Sequence, residues 1–340
     1  ENAKLLNYKV LAETLRGSEI LVVEDNLTNQ ELMRDLLENN GIKVTLADNG
    51  KHCLDILAID ARFDAILMDI QMPIMDGYEA TQQIRTNAMW DDIPIIAMTA
   101  NVMAEHVTKA HEAGMVDHIG KPIDIQFLFN CLAKWIKPQV ALNQVDHEQL
   151  QLENCNALKV NFELLRDKFA IDSALTRLGD NHVVYLKLLR RFIPSYGSIE
   201  TTLADTFANH TRTDWKRFFH TLKATAGNLG ADTLQEQAKQ LEMACDSDRR
   251  MSINDAEVVA LITEVAIVAD VVDTFLKSYN HQQENMPKIS PIVAVDKQQL
   301  LRLLNEIIFQ LEDADFEAKE GITIQKESRT YASITYQNYF

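Results

Sequence analysis

Polar residues capable of chemistry come directly after several short apolar runs between residues 19 and 137. They are Glu24, Asp25 and Asn26 after the first run, Asp69 after the third, Thr99 after the fourth, and Lys121 after the fifth. Three carboxylates held at one edge repel one another and raise each other's pKa values unless a cation lies among them. Mg²⁺ prefers oxygen ligands of this kind and retains some of its water. The sequence therefore predicts a Mg²⁺ site formed by the acidic residues.

The same residues can support phosphoryl transfer. A bound divalent cation attracts a phosphoryl group, and an aspartate carboxylate can attack phosphorus and carry it as an acyl phosphate. The Lys121 ammonium can neutralise phosphoryl oxygens, and the Thr99 hydroxyl can donate a hydrogen bond to one of them. Taken singly, each residue has a simpler interpretation, such as a helix cap for Asp25 and Asn26 or a solvated strand end for Asp69. Their convergence favours the phosphoryl site.

The apolar runs indicate a parallel sheet. Five short aliphatic runs alternate with amphipathic stretches of helical spacing, which is the pattern of a doubly wound α/β fold. The runs are 20–23, 44–47, 65–68, 93–98 and 116–119. In such a sheet, ligands bind at the carboxyl ends of the strands. We therefore expect residues 18–138 to form one domain that gathers the polar residues at a single edge.

A second candidate group is His220, on a predicted helix over 215–229. At about 100° per residue the apolar neighbours form one stripe, and His220 lies about 140° from Trp215, so we expect an exposed imidazole. Lys216 and Lys223, four residues before it and three after, can attract a phosphoryl group. An imidazole is largely neutral and nucleophilic near pH 7 because its ordinary pKa is about 6.5. The alternative is an ordinary surface histidine, while metal ligation or a catalytic triad needs partners that this stretch lacks.

The second half of the chain has helical periodicity without strand signals. Residues 171–280 therefore predict an all-α four-helix bundle. Polar stretches indicate a linker at 139–170 and another within 281–340, a segment that is otherwise uncertain apart from an amphipathic helix over 297–314. Residues 1–17 are expected to be a linker or upstream tail.

The amino-acid composition limits the classes of partner that the chain is expected to bind. The 340 residues carry 33 basic and 50 acidic side chains, a formal net charge of −17, so we expect no binding to nucleic acid or to anionic membrane surfaces. The four cysteines lie far apart without a Cys-x-x-Cys pair, which favours a reducing, cytoplasmic setting over zinc or disulfides. No apolar run suits a membrane span. Because the chain opens with Glu1, we expect a piece of a longer protein, whose parent can still be anchored in an inner membrane.

Four segments of the first domain resemble the receiver domains of two-component signalling, which have a flavodoxin-like sheet. They are VVEDN at 22–26, MDIQMPIMDG at 68–77, MTAN at 98–101 and GKP at 120–122. The resemblance implies that Asp69 is the phosphoacceptor and that Thr99 and Lys121 bind the phosphoryl group. The Mg²⁺ ligands that it implies are Asp25, Asp69, the Gln71 carbonyl and, through water, Glu24.

The resemblance also carries finer expectations. Gln71 and Asn101 stand where receivers tune the lifetime of the acyl phosphate, and the Lys121–Pro122 bond is expected to be cis. One position departs from the pattern, because His118 stands three residues before the lysine, where receivers usually have an aromatic switch residue. We therefore expect a relay station that does not depend on the coupled movement of a threonine and an aromatic ring.

The segment HTLKATAGNLGA at 220–231 resembles the phosphoacceptor helix of histidine phosphotransfer (HPt) domains. The resemblance extends to the helical lead-in 171–196 and implies that His220 is a phosphoacceptor with Lys223 beside it. Ala224 replaces the glycine that is common at its position. We expect the extra methyl group to reduce the clearance for a docking partner without abolishing function.

A receiver followed by an HPt domain is the order found at the C-terminus of tripartite hybrid sensor histidine kinases. The chain contains no Gly-x-Gly, so we expect no ATP-binding kinase domain within it. The resemblance implies a phosphorelay, in which an upstream kinase domain of the same parent chain or of its dimer mate supplies Asp69 from a phosphohistidine. His220 then takes the phosphoryl group and passes it to the receiver of a separate response regulator.

Two alternatives stay open at this stage. In the first, flow is reversed and the pair drains phosphoryl groups from a regulator through His220 to Asp69, where water removes them. In the second, the receiver is a non-catalytic docking module that controls a kinase by contact alone, although the complete acidic set argues against it. A DNA-binding regulator is not expected, because no basic recognition helix follows the receiver.

Overall fold

The structure is a computed structural model, and it describes residues 2–99, 104–138, 160–246 and 251–285. The chain divides into two compact units, Glu1–His281 and Gln282–Phe340, and both predicted domains lie in the first unit. The predicted helix over 297–314 and the residue Asn101 fall outside the described residues.

A five-stranded parallel sheet forms the centre of the first domain. Its strands are β1 (Glu19–Val23), β2 (Lys43–Ala47), β3 (Ala65–Asp69), β4 (Ile95–Thr99) and β5 (Asp117–Gly120). They lie in the order β2-β1-β3-β4-β5 with every pairing parallel, which confirms the doubly wound α/β class. β4 begins two residues later than predicted, because Pro94 has no N–H with which to join a ladder.

Helices cover both faces of this sheet. They are α2 (Leu27–Glu38), α3 (Gly50–Ile59), α4 (Gly77–Arg85), α5 (Ala104–Ala113) and α6 (Ile125–Trp135). A separate apolar cluster lies on each face, so that Ile20 of β1 belongs to one cluster and its neighbour Leu21 to the other. Burial on both faces explains why the strands are continuous apolar runs, with polar side chains confined to their ends.

A further helix, α1 (Asn2–Thr14), precedes the sheet, where the sequence predicts only a linker or tail. Tyr8 and Leu15 lie two turns apart on one face of this end of the chain, and both are buried. The Tyr8 ring lies 5.9 Å from the Phe129 ring of α6. On the other side, a Cβ added to Gly179 of the second domain would come within 2.6 Å of the Tyr8 hydroxyl. α1 therefore contacts both domains.

The second domain is helical. Its helices are α7 (Ile171–Arg177), α8 (His182–Tyr196), α9 (Ile199–Asn209), α10 (Arg212–Leu229), α11 (Asp232–Ala244) and α12 (Ala256–Asn285). This confirms the all-α class, with six helices in the described range where the sequence predicts a bundle of four. A capping box of Thr211 and Asp214 starts α10, and Gly230, with φ of 77°, ends it.

The predicted linker 139–170 is folded where the structure describes it. A short 3₁₀ helix spans Glu163–Leu165. Phe162, just before it, is buried, and its ring meets the Tyr185 ring edge-on at 5.2 Å. The end of this stretch therefore belongs to the core of the helical domain.

The longest helix among the described residues is α12, with 30 residues. Glu264 and Asp270 interrupt its apolar residues. Within the described part of the chain, no helix combines the length and the apolar character that crossing a bilayer requires.

The two domains share one hydrophobic core. Helix α2 packs on α8. Leu32 and Leu36 of α2 belong to the same buried cluster as Leu186 and Leu189 of α8. This contact places the carboxyl edge of the sheet against the second domain.

Candidate functional site

Three carboxylates meet at the carboxyl edge of the sheet. Glu24 and Asp25 follow β1 and Asp69 ends β3, and the two strands pair directly, with Val23 opposite Met68. One carboxylate oxygen of each residue lies within 4.8 Å of the others. Glu24 and Asp69 are almost completely buried, with 1% and 2% of their surfaces exposed. The adjacency expected from the sequence is therefore present.

Lys121 reaches into this cluster from the end of β5. Its Nζ lies 2.6 Å from Oε2 of Glu24 and 2.7 Å from Oδ2 of Asp69. The backbone N–H of Lys121 donates to the Thr99 carbonyl at 2.8 Å, and the peptide bond to Pro122 is cis, as expected. The turn after β5 thus aims the ammonium at both carboxylates.

The acidic cluster is not fully neutralised by Lys121. Burial raises the pKa of Asp69 to about 6, an effect that Lys121 opposes and Glu24 reinforces. Burial, with Glu24, also raises the pKa of Asp25 to about 6. Burial by itself lowers the pKa of Lys121, but the carboxylates of Asp69 and Glu24 outweigh it and raise that pKa overall. Three carboxylates and one ammonium leave two negative charges, which a hard divalent cation with oxygen ligands would balance.

Two other predicted residues lie beside this cluster. Thr99, at the end of β4, is buried, with 7% of its surface exposed. Gln71 is two residues beyond Asp69, and its backbone N–H lies 3.4 Å from Oδ1 of Asp69. Both residues line the same cavity as Asp69 and Lys121. A metal-binding role for the Gln71 carbonyl stays a prediction.

His220 is buried, and the prediction of an exposed imidazole is wrong. Only 6% of the residue is accessible. Its Nδ1 lies 2.6 Å from Oε1 of Glu242 on α11. Its Nε2 is buried and has no hydrogen-bond partner among the described residues. The helical wheel correctly placed the ring off the apolar stripe of α10, but α11 and the first domain cover that side.

Glu242 is the residue of the site that the sequence analysis missed. Its other oxygen, Oε2, pairs with the Lys223 ammonium. Burial raises the pKa of Glu242, but the bonds from His220 and Lys223 outweigh burial and lower it overall. A signal was available, because Glu242 continues the buried stripe of Leu234, Ala238 and Leu241, where a carboxylate needs a partner.

A cavity of about 420 Å³ joins the two candidate sites. The first domain contributes Asp69, Thr99 and Lys121 to its lining, and the second contributes His220 and Lys223. A positive charge on His220 would be near enough to lower the pKa of Asp69, against the larger effect of burial. Both predicted phosphoacceptors therefore line one cavity, an arrangement that the sequence did not predict.

Asn228, two turns beyond His220 on α10, connects the domains. Its Oδ1 accepts a hydrogen bond from the backbone N–H of Ile123 at 3.2 Å, and its Nδ2 lies 3.4 Å from Oδ1 of Asn29. The Asn29 amide in turn donates to Oε1 of Glu24 at 2.8 Å. A buried chain of side chains thus extends from the helical domain to the acidic cluster.

The two departures from the family patterns differ in their relation to this cavity, since His118 is not among the residues that line it. Ala224 lines the cavity, where its methyl group takes up part of the volume. One turn further on, a Cβ added to Gly227 would come within 2.6 Å of Nε2 of Gln235, so the Gln235 side chain would have to shift to admit a larger residue there. His118 lies on β5, with its Nδ1 3.9 Å from Oδ1 of Asp117.

Comparison with known families assigns both domains. Residues 20–133 match the response regulator receiver domain, and residues 187–271 match the Hpt domain. The chain therefore contains a receiver domain and an Hpt domain, the modules of phosphorelay signal transduction.

Histidine kinases are among the relatives of this chain. The signal transduction histidine-protein kinase BarA of Shigella flexneri is 28% identical over 261 residues, which are 76% of this chain and 27% of BarA. The sensor histidine kinase GacS of Pseudomonas protegens is 38% identical over 131 residues, covering 36% of this chain and 14% of GacS. The chain thus spans only 14% to 27% of these two kinases.

A solved structure is also similar to the first domain. It is the receiver domain of a sensor histidine kinase from Pseudomonas aeruginosa PAO1, with a magnesium ion coordinated in the active site cleft. It is 40% identical, with a TM-score of 0.33, and the match covers 35% of this chain and 97% of that structure.

Proposed function

We propose that Asp69 accepts a phosphoryl group from a kinase phosphohistidine and that His220 takes it from Asp69 within the same chain. His220 then transfers it to the receiver of a response regulator. The observation that carries this proposal is the shared cavity, which both Asp69 and His220 line and beside which Nε2 of His220 is left without a hydrogen-bond partner among the described residues. The upstream donor is a kinase domain of the parent chain or of its dimer mate, in the cytoplasm.

In the first step, an oxygen of the Asp69 carboxylate attacks phosphorus, the N–P bond of the donor phosphohistidine breaks, and its imidazole leaves. The Lys121 ammonium and the Thr99 hydroxyl bind phosphoryl oxygens as their charge grows. Asp25, Asp69 and the Gln71 carbonyl, with Glu24 through water, would hold Mg²⁺. When bound, this ion would neutralise phosphoryl oxygens and allow the anionic carboxylate to approach them.

In the second step, Nε2 of His220 attacks the phosphorus of the acyl phosphate. The O–P bond breaks, Asp69 regains its carboxylate, and an N–P bond forms. The positive charge that develops on the ring is shared with Nδ1–H, which donates to Glu242. Glu242 thereby selects the tautomer with a free Nε2 lone pair, and Lys223, which also lines the cavity, would stabilise the incoming phosphoryl group.

Transfer between two groups that share a cavity can run in either direction. Return of label from His220 to Asp69, followed by release of inorganic phosphate, would support the drain rather than the forward relay. Failure of a phosphorylated His220 to label Asp69 would exclude the drain and leave the forward direction.

The experiment that tests the relay incubates the chain with a radiolabelled phospho-kinase domain and Mg²⁺. We expect no label on Asp69→Asn, and trapped label on His220→Gln in the alkali-labile form of an acyl phosphate. Asp55→Asn and His210→Gln, at exposed positions of each domain, are matched controls that should behave as wild type. Label that reached His220 in the Asp69→Asn protein would overturn the proposed order.

A further inference from the structure

Two ion pairs align the domains along a pair of helices. Lys187 of α8 lies 2.6 Å from Oδ1 of Asp35 on α2, and Arg191 of α8 pairs with Glu31 of α2. The two charged residues of each helix are four positions apart. Because the earlier residue of α8 pairs with the later residue of α2, and the later with the earlier, the two helices run antiparallel with matched spacing. In both pairs the cation belongs to the Hpt domain and the anion to the receiver.

A third cation of the Hpt domain also lies near a carboxylate of the receiver. Nε of Arg217 on α10 lies 3.9 Å from Oδ2 of Asp25. Together with Lys187 and Arg191 it forms what we call the basic edge of the Hpt domain. The chain as a whole has a net charge of −17, so a basic edge is a local exception to its composition. Such an exception is suited to an acidic partner.

The basic edge lies beside the phosphoacceptor histidine. His220 and Arg217 are on the same helix, three residues apart, and the imidazole faces the cavity that holds Asp69. Any second receiver that exchanges a phosphoryl group with His220 must place its own aspartate in that position. Receivers share one fold, so the helix after the first strand of the second receiver must then lie where α2 lies now.

We propose that the basic edge selects its receiver partners by two carboxylates, six and ten residues after the first acidic-site aspartate, as Glu31 and Asp35 follow Asp25. This inference rests on the proposed function and specifies the partner of that site. The response regulator that accepts from His220 carries this pair of carboxylates. It competes with the chain's own receiver for the basic edge, so output requires that the two domains separate.

The test uses two full-length copies of this chain. The donor carries His220→Gln and is labelled on Asp69 with radiolabelled acetyl phosphate in Mg²⁺. The acceptor carries Asp69→Asn and retains His220. The double reversal Glu31→Lys with Asp35→Lys is introduced into one copy at a time, and the rate at which label appears on the acceptor is measured.

Opposite effects are expected from the same substitutions. In the donor they should slow transfer about tenfold, because like charges then meet across the helices. In the acceptor they should speed transfer about tenfold, because the chain's own receiver is released from the basic edge. Lys187→Glu with Arg191→Glu in the acceptor should restore the rate from the reversed donor, and high salt should weaken each effect.

Glu38→Lys is the matched control, because Glu38 lies on α2 with the same charge but is exposed. It should leave both rates unchanged. Loading of the donor is measured before mixing, so a donor that cannot be labelled contradicts the proposed function itself. This proposal alone is overturned if a loaded donor transfers label at the same rate with and without the double reversal. It is also overturned if the rate changes in the same direction whichever copy carries the reversal. Misfolding cannot imitate the expected result, since it does not accelerate transfer.

Discussion

Nδ1 of His220 lies 2.6 Å from Oε1 of Glu242, and this bond leaves Nε2 as the ring nitrogen available for transfer. With Nδ1 engaged, Nε2 is the ring nitrogen without a hydrogen-bond partner among the described residues, on a side chain that lines the cavity shared with Asp69. The second oxygen of Glu242 pairs with Lys223, so one carboxylate orders both the nucleophile and the cation beside it. Such orienting partners commonly fix the tautomer of a functional histidine.

The first prediction concerns this pair. Glu242→Gln should slow transfer from Asp69 to His220 by about 10- to 100-fold, because the amide keeps a hydrogen bond but cannot balance the positive ring. Single-turnover transfer from acyl phosphate to histidine measures the rate. Nitrogen NMR of His220 should show a larger share of the Nε2–H tautomer in the variant.

Glu236→Gln is the control for this prediction, since Glu236 lies on the same helix and its partners, Lys239 and Gln240, are exposed and belong to that helix. It should transfer as wild type does. An unchanged rate and an unchanged tautomer in Glu242→Gln would show that Glu242 does not position the ring.

The second prediction concerns the charge balance of the acidic cluster. Lys121→Met leaves Glu24 and Asp69 buried without their shared ammonium, and should lower the free energy of unfolding by about 3 kcal/mol in a chelator. Added Mg²⁺ should recover more stability in this variant than in wild type, because it then supplies the missing positive charge. Urea denaturation with and without Mg²⁺ measures both effects.

Lys43→Met is the control for the cluster, because Lys43 forms an exposed pair with Glu19. Its effect should stay below about 1 kcal/mol and should not depend on Mg²⁺. If Lys121→Met matched wild type in a chelator, the cluster would not need the ammonium.

The third prediction is a pH dependence. Burial raises the pKa of Asp25 to about 6, whereas an unfolded aspartate titrates at about 3.9. The folded chain therefore binds more protons than the unfolded chain between these values, so the free energy of unfolding falls as pH rises from about 4 to about 6. For Asp25 the loss is up to about 3 kcal/mol. Asp25→Asn should remove that share and flatten the decline, as measured by urea denaturation in a chelator.

Asp55→Asn, at an exposed position, should leave the pH profile unchanged. Mg²⁺ should offset the loss above pH 6 by pairing with the ionised carboxylates. A profile that is equally steep in Asp25→Asn and wild type would assign the decline to other groups.

The fourth prediction concerns domain docking. Asn228→Ala removes the acceptor for the buried Ile123 N–H and the contact with Asn29, which should cost about 1–3 kcal/mol of docking free energy. We expect a more extended scattering profile in solution and slower transfer between Asp69 and His220. Asn209→Ala, on the exposed end of α9, is the control and should keep both the profile and the rate. A compact Asn228→Ala protein would show that the apolar contact of α2 with α8 suffices.

Several features of the site were predictable because they depend on short stretches of chain. Asp25 and Asp69 follow apolar runs, and parallel strands end at one edge, so their approach follows from the order of the strands. The cis bond before Pro122 was expected from the GKP segment and is present. The burial of His220 was not predictable in this way, because the helical wheel of α10 describes only that helix.

The N-terminal segment, predicted as a tail, also has a structure that a single helix pattern does not reveal. Tyr8 and Leu15 are apolar at helical spacing, but a helix of 13 residues is only marginally stable by itself. α1 is stabilised by packing of Tyr8 against Phe129, which lies far along the chain. The position of the Glu242 carboxylate also depends on residues outside its own helix, because its partners His220 and Lys223 belong to the preceding helix.

The sequence by itself determined the two fold classes, the acidic set with its lysine, and the histidine on its helix, because each is encoded by local spacing and by motifs. Only the tertiary structure decided that Asp69 and His220 share one cavity. That arrangement depends on contacts such as Lys187 with Asp35, which are 152 residues apart. Contacts over such separations depend on how two finished surfaces fit, and no local pattern of residues specifies that fit.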